Sequence, residues 1–259
     1  MSEIDARASI SKTARIGNGS RIGPFAVIGD EVELGDSCVV EPHAVIYGPA
    51  RFGRENRFYP FSAIGGEPQD ISFSGERVSL EAGDCNQFRE FCTVNRGTKK
   101  GGGITRIGSH NMFMAYSHVA HDCIIGDHTI FVNGGTLAGH VVVEDYATVG
   151  AFVTVHQFCR VGRYAYVAAL TAIMQDVPPF SKVVQARDVR TFGVNSIGLQ
   201  RHGFSPERIK TIDRAYRLLL RSKLNTTQAI ERMRATLNGS DDVSELIQFI
   251  EAAERGLVK

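Results

Sequence analysis

The chain contains 259 residues with a formal net charge of +1; 43% of the residues are hydrophobic and 22% are charged. This balance excludes a disordered chain, and a net charge so close to zero argues against a nucleic-acid-binding protein. No basic-plus-apolar leader opens the sequence and no stretch approaches about 18 apolar residues, so we expect neither a signal peptide nor a membrane span. Five cysteines without a C-x-x-C pair predict reduced thiols in a cytoplasmic protein.

A six-residue repeat runs through most of the chain. Every sixth residue is apolar from Ile10 to Ile64 and again, in a shifted frame, from Ile107 to Ile173. A period of six fits neither a helix nor a plain strand, but it fits a short strand followed by a turn. Three such units close a triangular coil of about 18 residues, and stacked coils form a parallel β-helix. The sequence therefore predicts a solenoid over residues 1–189.

Small residues accompany the repeat. One usually stands two positions before each apolar residue, where we expect the chain to bend inward. Glycine often follows the apolar residue, as at Gly17, Gly35 and Gly53, and we expect it to supply the backbone angles of the turn. Four cysteines fall on the small-residue position, which predicts that they pack as small hydrophobic groups: Cys38, Cys92, Cys123 and Cys159.

Two polar, glycine-rich segments interrupt the repeat at residues 66–77 and 96–103. Insertions in a solenoid usually lie on its functional face, so we expect both loops to border a binding site.

The C-terminal part of the chain changes period. Spacing from about residue 190 is helical, which predicts a small α-helical domain over residues 190–259. Ser205 is a predicted N-cap, further helices should begin near Thr227 and after Ser240, and Gly256 should end the last one. Residues 186–223 carry nine basic and three acidic residues. This basic segment is either a solvated helix face or a site for phosphates or an acidic partner.

The repeat also aligns residues that could do chemistry. Residues one coil apart stack, so His121, Gly139 and Gln157 form a column and Asp122 lies against His140. Histidine titrates near neutral pH, so His121 could be a general base that Asp122 orients. The Gly139 backbone N–H, with no side chain beside it, suits an oxyanion hole.

Two other interpretations of this column stay open. Stacked polar residues can simply face solvent. Histidines from neighbouring coils could instead hold Zn²⁺, as in β-helical carbonic anhydrases, although we expect no metal here.

Several motifs in this order identify a resemblance. They are HVAHDC at 118–123, LAGH at 137–140, VHQFC at 155–159, QDVPP at 175–179 and FGVN at 192–195. Together with the hexads, loops and helical tail, they make essentially the whole chain resemble the UDP-N-acetylglucosamine O-acyltransferases of lipid A biosynthesis. The resemblance implies an all-β left-handed parallel β-helix that forms a homotrimer, with active sites between subunits. It also implies transfer of an (R)-3-hydroxyacyl group from acyl carrier protein to the sugar 3-hydroxyl of UDP-N-acetylglucosamine. No cofactor is implied, because the phosphopantetheine arrives on the carrier protein.

The resemblance also assigns roles to individual residues. His121 would be the base, Asp122 its support and the Gly139 N–H the oxyanion donor. The remaining substrate contacts would be His118, His140 and Gln157 with donor or acceptor, Asp70 with the sugar, and Asn195 and Arg201 near the nucleotide. The basic segment would meet the phosphates and the acidic carrier protein.

Four positions depart from the family pattern. Ser72 replaces a substrate-binding lysine and His202 replaces an arginine, which should weaken contacts with the sugar nucleotide. Ala169 replaces the glycine that acts as the acyl-chain ruler, which predicts a shorter tunnel, and Asp188 stands near the position of a tunnel-closing histidine. Acyl length therefore stays open, as does a 3-amino sugar nucleotide as acceptor.

Overall fold

The computed structural model describes residues 2–185 and 188–259. Over these residues the chain forms a left-handed parallel β-helix of three sheets, followed by helices. Each coil contributes one short strand to each sheet, so the strands of a sheet are spaced three apart along the chain.

The first sheet has eleven strands. In stacking order they are β1 (Glu3–Ile4), β4 (Arg21–Ile22), β7 (Val39–Val40), β10 (Arg57–Phe58), β13 (Gln87–Phe88), β16 (Met112–Phe113), β19 (Ile130–Phe131), β22 (Thr148–Val149), β25 (Tyr166–Val167), β27 (Ser181–Gln185) and β28 (Val189–Val194). The last two pair antiparallel, and β28 spans the predicted domain boundary at residue 189.

The other two sheets are wholly parallel. The second sheet comprises β2 (Ser9–Ile10), β5 (Val27–Ile28), β8 (Val45–Ile46), β11 (Ala63–Gly66), β14 (Thr93–Asn95), β17 (His118–Val119), β20 (Thr136–Leu137), β23 (Thr154–Val155) and β26 (Ala172–Ile173). The third comprises β3 (Arg15–Ile16), β6 (Val32–Leu34), β9 (Ala50–Phe52), β12 (Ser79–Ala82), β15 (Ile104–Ile107), β18 (Ile124–Ile125), β21 (Val142–Val143) and β24 (Arg160–Val161).

The register confirms the predicted stacking and the two insertions. His118 pairs with Thr136, one 18-residue coil later. Arg57 pairs with Gln87 instead of residue 75, which accommodates the first loop, and Gln87 pairs with Met112 instead of residue 105, which accommodates the second. The second offset is one residue more than a hexad, as the shifted frame predicts.

The apolar residue of each hexad fills the prism. Phe58, Phe88, Phe113 and Phe131 are all fully buried, and their rings stack in sequence with centroids 4.8 to 5.3 Å apart. The four cysteines of the small-residue position are buried free thiols, as predicted. Burial raises the pKa of Cys123 to about 12, so this thiol stays protonated at neutral pH.

The predicted role of the repeat glycines is wrong at most positions, although Gly65 does take the left-handed conformation. Gly17, Gly35 and Gly53 do not adopt the left-handed conformation. Their requirement is steric instead, because a Cβ at Gly17 would overlap the backbone of Gly35, and one at Gly35 would lie 2.6 Å from the carbonyl carbon of Gly53. Glycine is thus needed where coils approach one another closely.

The left-handed position of most turns carries a side chain, whereas Gly19 and Gly134 occupy it in two turns. These residues stand at the prism edges and stack from coil to coil. Phe61, Phe91 and Tyr116 form part of the ladder between the first and second sheets. His128 and Tyr146 stack at a 4.8 Å centroid distance along the edge between the third and first sheets.

The C-terminal part contains four helices in the described residues. They are α1 (Ser196–Arg201), α2 (Pro206–Leu220), α3 (Thr226–Thr236) and α4 (Asp241–Glu251). Ser205 and Ser240 cap α2 and α4 as predicted, whereas α1 was not predicted and Gly256 lies beyond the end of α4. Within the part of the chain that the structure describes, none of these helices is long and apolar enough to cross a bilayer.

Candidate active site

His121 and Asp122 occupy the turn between β17 and β18, on the edge where the second and third sheets meet. Asp122 takes the left-handed turn position, with φ of 61°, and its backbone N–H donates to Thr105 Oγ1 at 2.8 Å. The hexad turn therefore fixes the direction in which both side chains leave the prism.

The two side chains form a hydrogen-bonded dyad. His121 Nδ1 lies 2.8 Å from Asp122 Oδ2, and the Asp122 side chain is only 1% exposed. A buried carboxylate that accepts from Nδ1–H leaves Nε2 as the basic nitrogen. His121 is 14% exposed, so that nitrogen can reach a substrate placed against the edge.

A second element encloses the carboxylate. Thr98, in the loop 96–103, donates its backbone N–H to Asp122 Oδ1 at 2.7 Å and its hydroxyl to Oδ2 at 2.6 Å. Thr98 is buried, so these two bonds are shielded from water. Nothing in the hexad pattern points to this contact, because the loop lies outside the repeat.

Gly139 lies one coil above His121, as the column predicts. A Cβ on Gly139 would lie 2.5 Å from His121 Cε1 and 2.8 Å from Nε2, so the imidazole ring occupies the space that a side chain would need. Among residues 2–185 and 188–259, the Gly139 N–H has no hydrogen-bond acceptor. A free donor beside the basic nitrogen is the arrangement expected of an oxyanion hole.

Two more histidines border the dyad. His140 Nε2 is 3.6 Å from Asp122 Oδ2, and its ring stacks on Phe158 at 4.6 Å. His118 Nδ1 lies 2.7 Å from Thr93 Oγ1. Burial, and secondarily the nearby His121, lower the pKa of His118, which favours its neutral form.

The first inserted loop comes close to this edge. Asp70 Oδ1 accepts from the Ser72 N–H at 2.8 Å and from its hydroxyl at 3.0 Å, and these bonds lower the pKa of Asp70. Lys100, from the second loop, donates to Ser72 Oγ at 3.1 Å. Lys100, which sequence analysis did not name, therefore lies beside Ser72, the position where the family pattern has a lysine.

The other predicted site residues are spread over all three edges of the prism. Gln157 continues the column of His121 and Gly139 and is exposed. Asn195 caps α1 and also donates to the Tyr164 carbonyl at 3.1 Å, on the edge between the third and first sheets. Ala169 is exposed on the edge between the first and second sheets.

Arg201 and His202 end the first helix. Arg201 is its exposed last residue. His202 contacts the Tyr146 ring edge-on at 5.0 Å, and burial together with His128 lowers the pKa of His202. A single chain thus does not bring Arg201 or Ala169 to the edge that carries the dyad. Asp188 is exposed, and the neighbouring Arg187 of the basic segment lies outside the described residues.

Comparisons with known proteins cover the whole chain. The sequence profile described as UDP N-acetylglucosamine O-acyltransferase, domain 2, matches residues 176–258, and the bacterial transferase hexapeptide profile matches residues 4–48 and 104–139. A relative from Stenotrophomonas maltophilia, named acyl-[acyl-carrier-protein]–UDP-N-acetylglucosamine O-acyltransferase, is 49% identical over 99% of this chain and 97% of its own. The chain belongs to the UDP-N-acetylglucosamine O-acyltransferase family.

Other members of the family agree in sequence and in structure. The relative of the same name from Alkalilimnicola ehrlichii is 46% identical over the full length of both chains. The solved UDP-N-acetylglucosamine acyltransferase from Bacteroides fragilis is 37% identical, covers 98% of this chain and 99% of its own, and superposes with a TM-score of 0.95. The left-handed β-helix and its helical tail are therefore the fold of the acyltransferase family.

The side chains on the edge that carries His121 and Asp122 could also coordinate a metal. One ligand atom each from His121, Asp122 and His140 lies within 4.8 Å of the others. Asp122 Oδ2 and His121 Nδ1 are already engaged, however, because Asp122 Oδ2 accepts from both His121 and Thr98. A metal ion would have to displace the hydrogen bonds that hold the dyad.

Sequence reasoning missed three contacts at this site. Thr98 and Thr93 contact the predicted site residues Asp122 and His118, and Lys100 contacts Ser72, yet none of the three was named among the predicted columns. The signal available for Thr98 and Lys100 was their position in an insertion, since insertions in solenoids gather at functional faces. For Thr93, the register of β14 on β17 places it directly beside His118.

Proposed function

We propose that the chain transfers an (R)-3-hydroxyacyl group from acyl carrier protein to the 3-hydroxyl of UDP-N-acetylglucosamine, the first step of lipid A biosynthesis. The observation that carries this function is membership of the acyltransferase family over the full chain, at 46–49% identity to relatives of that name. The His121–Asp122 dyad beside the free Gly139 N–H supplies groups suited to acyl transfer.

In the proposed first step, His121 Nε2 accepts the proton of the sugar 3-hydroxyl. The hydroxyl oxygen then attacks the thioester carbonyl carbon, forming the new C–O bond and a tetrahedral intermediate. Asp122 keeps His121 in the tautomer that leaves Nε2 unprotonated, and it stabilises the imidazolium that forms.

Collapse of the intermediate completes the transfer. The Gly139 N–H donates to the oxyanion while the negative charge is present, which favours the transition state over the planar thioester. The C–S bond then breaks, and the imidazolium returns its proton to the departing phosphopantetheine thiolate. The products are the ester and the free carrier-protein thiol, so the proposed reaction needs no cofactor of its own.

Polar side chains would bind the acceptor, and basic side chains would bind the carrier protein. Asp70, near Lys100, would contact the sugar, while His118, His140 and Gln157 would border donor and acceptor. The carrier protein is acidic and would dock on the basic segment, where exposed arginines of α2 form a groove with Arg232 of α3.

The separation of site residues supports a homotrimer. Asn195 and Arg201 lie beside the Tyr164 edge, whereas the dyad occupies another edge of the same prism. We propose that a neighbouring protomer brings its Arg201 edge to the dyad, so that each active site uses two chains. All five cysteines are free, which is compatible with the cytoplasmic location we propose.

Ala169 would limit the acyl chain. Its methyl group lies on the edge between the first and second sheets, where a neighbouring chain would complete the tunnel. A panel of ten-, twelve-, fourteen- and sixteen-carbon donors tests this role. We expect Ala169→Gly to shift the preference towards longer donors, and an unchanged preference would remove Ala169 as the ruler.

The decisive experiment is acyl transfer by the purified chain and by His121→Ala, with His43→Ala as the matched control. His43 stacks between Phe25 and Phe61, several coils before the dyad and away from the Arg201 edge, so its loss should leave turnover near wild type. His121→Ala should reduce kcat by at least about 100-fold, and full retention of activity would overturn the assignment of the base.

The same assay separates the acceptor classes. UDP-N-acetylglucosamine should be acylated in preference to its 3-amino analogue, and the reverse preference would reassign the acceptor.

Metal analysis tests the alternative, a zinc-dependent hydrolyase on the same scaffold. Stoichiometric zinc together with carbon dioxide hydration and no acyl transfer would favour that alternative.

A further inference from the structure

We propose that Thr98 is a positioning residue of the acyl transfer, because it sets the orientation of the Asp122 carboxylate and thereby selects which histidine that carboxylate serves. The inference rests on the proposed function. It concerns a contact between the loop 96–103 and the dyad that the repeat itself does not supply.

The carboxylate has two candidate imidazole partners. Asp122 Oδ2 lies 2.8 Å from His121 Nδ1 and 3.6 Å from His140 Nε2. The His121 and His140 rings stand nearly perpendicular, at 87°, so a modest rotation of the carboxylate would exchange one partner for the other. Only the partnership with His121 leaves a basic nitrogen beside Gly139.

Thr98 removes this freedom. Its N–H and its hydroxyl bind the two different oxygens of Asp122, at 2.7 and 2.6 Å, so together they fix the rotation of the carboxylate plane. Hydrogen bonds to a charged acceptor are the stronger ones, and burial of both residues strengthens them further. The acidic partner of the base is therefore held by two bonds from a single residue.

The loop itself is anchored on the preceding coil. Its first N–H, from Arg96, donates to the Gly66 carbonyl at 2.9 Å, and its Gly103 carbonyl accepts from the Ser79 N–H at 2.8 Å. Within the loop, the Thr98 hydroxyl also accepts from the Gly101 N–H at 3.2 Å. A Cβ on Gly101 would overlap the Asp122 carboxylate, so glycine is required for the loop to close over it.

Thr98→Val tests the proposal, because valine keeps the shape and the backbone N–H but removes the hydroxyl. We expect kcat to fall at least about tenfold with both KM values nearly unchanged, since a misaligned base slows chemistry more than binding. Thr98→Ser, which restores a hydroxyl, should recover most of kcat. Wild-type kcat in Thr98→Val, or no recovery in Thr98→Ser, would overturn the proposal.

A double-mutant cycle separates positioning from loop folding. In an Asp122→Asn background, adding Thr98→Val should cost little more, because the group that Thr98 orients is already uncharged. An equal loss of kcat in both backgrounds would show that Thr98 only stabilises the loop. If the unmodified chain has no acyl transfer, the proposed function fails instead, so the two failures are distinguishable.

A spectroscopic signature gives an independent readout. In ¹⁵N-histidine spectra of the intact protein at high pH, His121 should be the Nδ1–H tautomer in the wild type. Thr98→Val should shift His121 towards a mixture of tautomers, and Thr98→Ser should not. An unchanged tautomer in Thr98→Val would contradict a role in orienting the dyad.

Discussion

At the scale of single residues, the site depends on space left for an imidazole. Gly139 is needed because the His121 ring lies where its Cβ would be. This differs from the interpretation based on sequence alone, in which the missing side chain only left the backbone N–H open as an oxyanion donor. In the proposed mechanism, the His121 ring and the oxyanion donor share this position.

Gly139→Ala should therefore damage catalysis more than folding. The added methyl group would push the His121 ring away from the dyad geometry and crowd the oxyanion donor, so we expect kcat to fall about 100-fold. Steady-state kinetics with thermal unfolding measures both effects. Gly66→Ala is the control, because a Cβ there meets only Asn95 Nδ2, at 3.5 Å. Equal activity in the two variants would contradict this account of Gly139.

His118 gives a prediction about pH. Because burial lowers its pKa below the ordinary value of 6.5, the unfolded chain binds this proton more readily than the folded chain does. Stability that is fully present above pH 6.5 should therefore decrease as the pH falls below it. His118→Gln, which can still bond to Thr93, should lose less free energy of unfolding between pH 7.5 and 5.5 than the wild type.

Chemical unfolding at the two pH values measures this difference. The exposed His110→Gln serves as the control, and its loss should equal that of the wild type. If His118→Gln and the wild type lose equal stability, burial of His118 has no part in the acid response.

At the scale of structural elements, the sequence predicts where residues of the repeat lie, but it does not predict the contacts made by the inserted loops. The hexads place His121, Gly139 and Gln157 in one column because each strand must bury its apolar residue, which leaves a single register. Caps at Ser205 and Ser240 are equally local signals. Thr98 could not be placed in this way, since an inserted loop has no periodicity and its path depends on contacts with Gly66 and Ser79.

The two inserted loops also suggest how a missing cation is replaced. Ser72 stands where a lysine was expected, and Lys100 from the other loop donates to its hydroxyl. An ammonium group at this place would pair with the diphosphate of the acceptor. Lys100→Gln should therefore raise the KM for UDP-N-acetylglucosamine about tenfold, with kcat little changed.

Two further variants make this prediction specific. Lys99→Gln, on the same 3₁₀ turn (Lys99–Gly101), should raise this KM much less. Lys99 is also exposed, but Lys100 is the residue that contacts Ser72. Ser72→Lys, added to Lys100→Gln, should restore the lower KM by returning a cation to the loop. A normal KM in Lys100→Gln would show that the acceptor does not meet this lysine.

At the scale of the whole molecule, the overall charge conceals an uneven distribution. The net charge of +1 is the sum of a basic segment at 186–223 and an acidic remainder. The described part of that segment lies mainly on α1 and α2, beside the edge that carries Tyr164. An acidic carrier protein and a sugar nucleotide would thus approach an edge that lacks His121. A single chain cannot bring that edge and its own His121 together.

A shared active site predicts complementation between two inactive chains. His121→Ala lacks the base and Arg201→Ala lacks a proposed nucleotide contact, and each alone should be impaired. Each mixed trimer formed by co-expression contains one ordered pair of neighbours in which His121 comes from one chain and Arg201 from the next, so one of its three sites should be intact. We therefore expect acyl transfer to recover to about a third of the wild-type rate, measured on doubly tagged mixed trimers. Separately purified variants mixed without subunit exchange provide the control and should show no recovery. Mixed trimers as inactive as that control would place both residues in the site of a single chain.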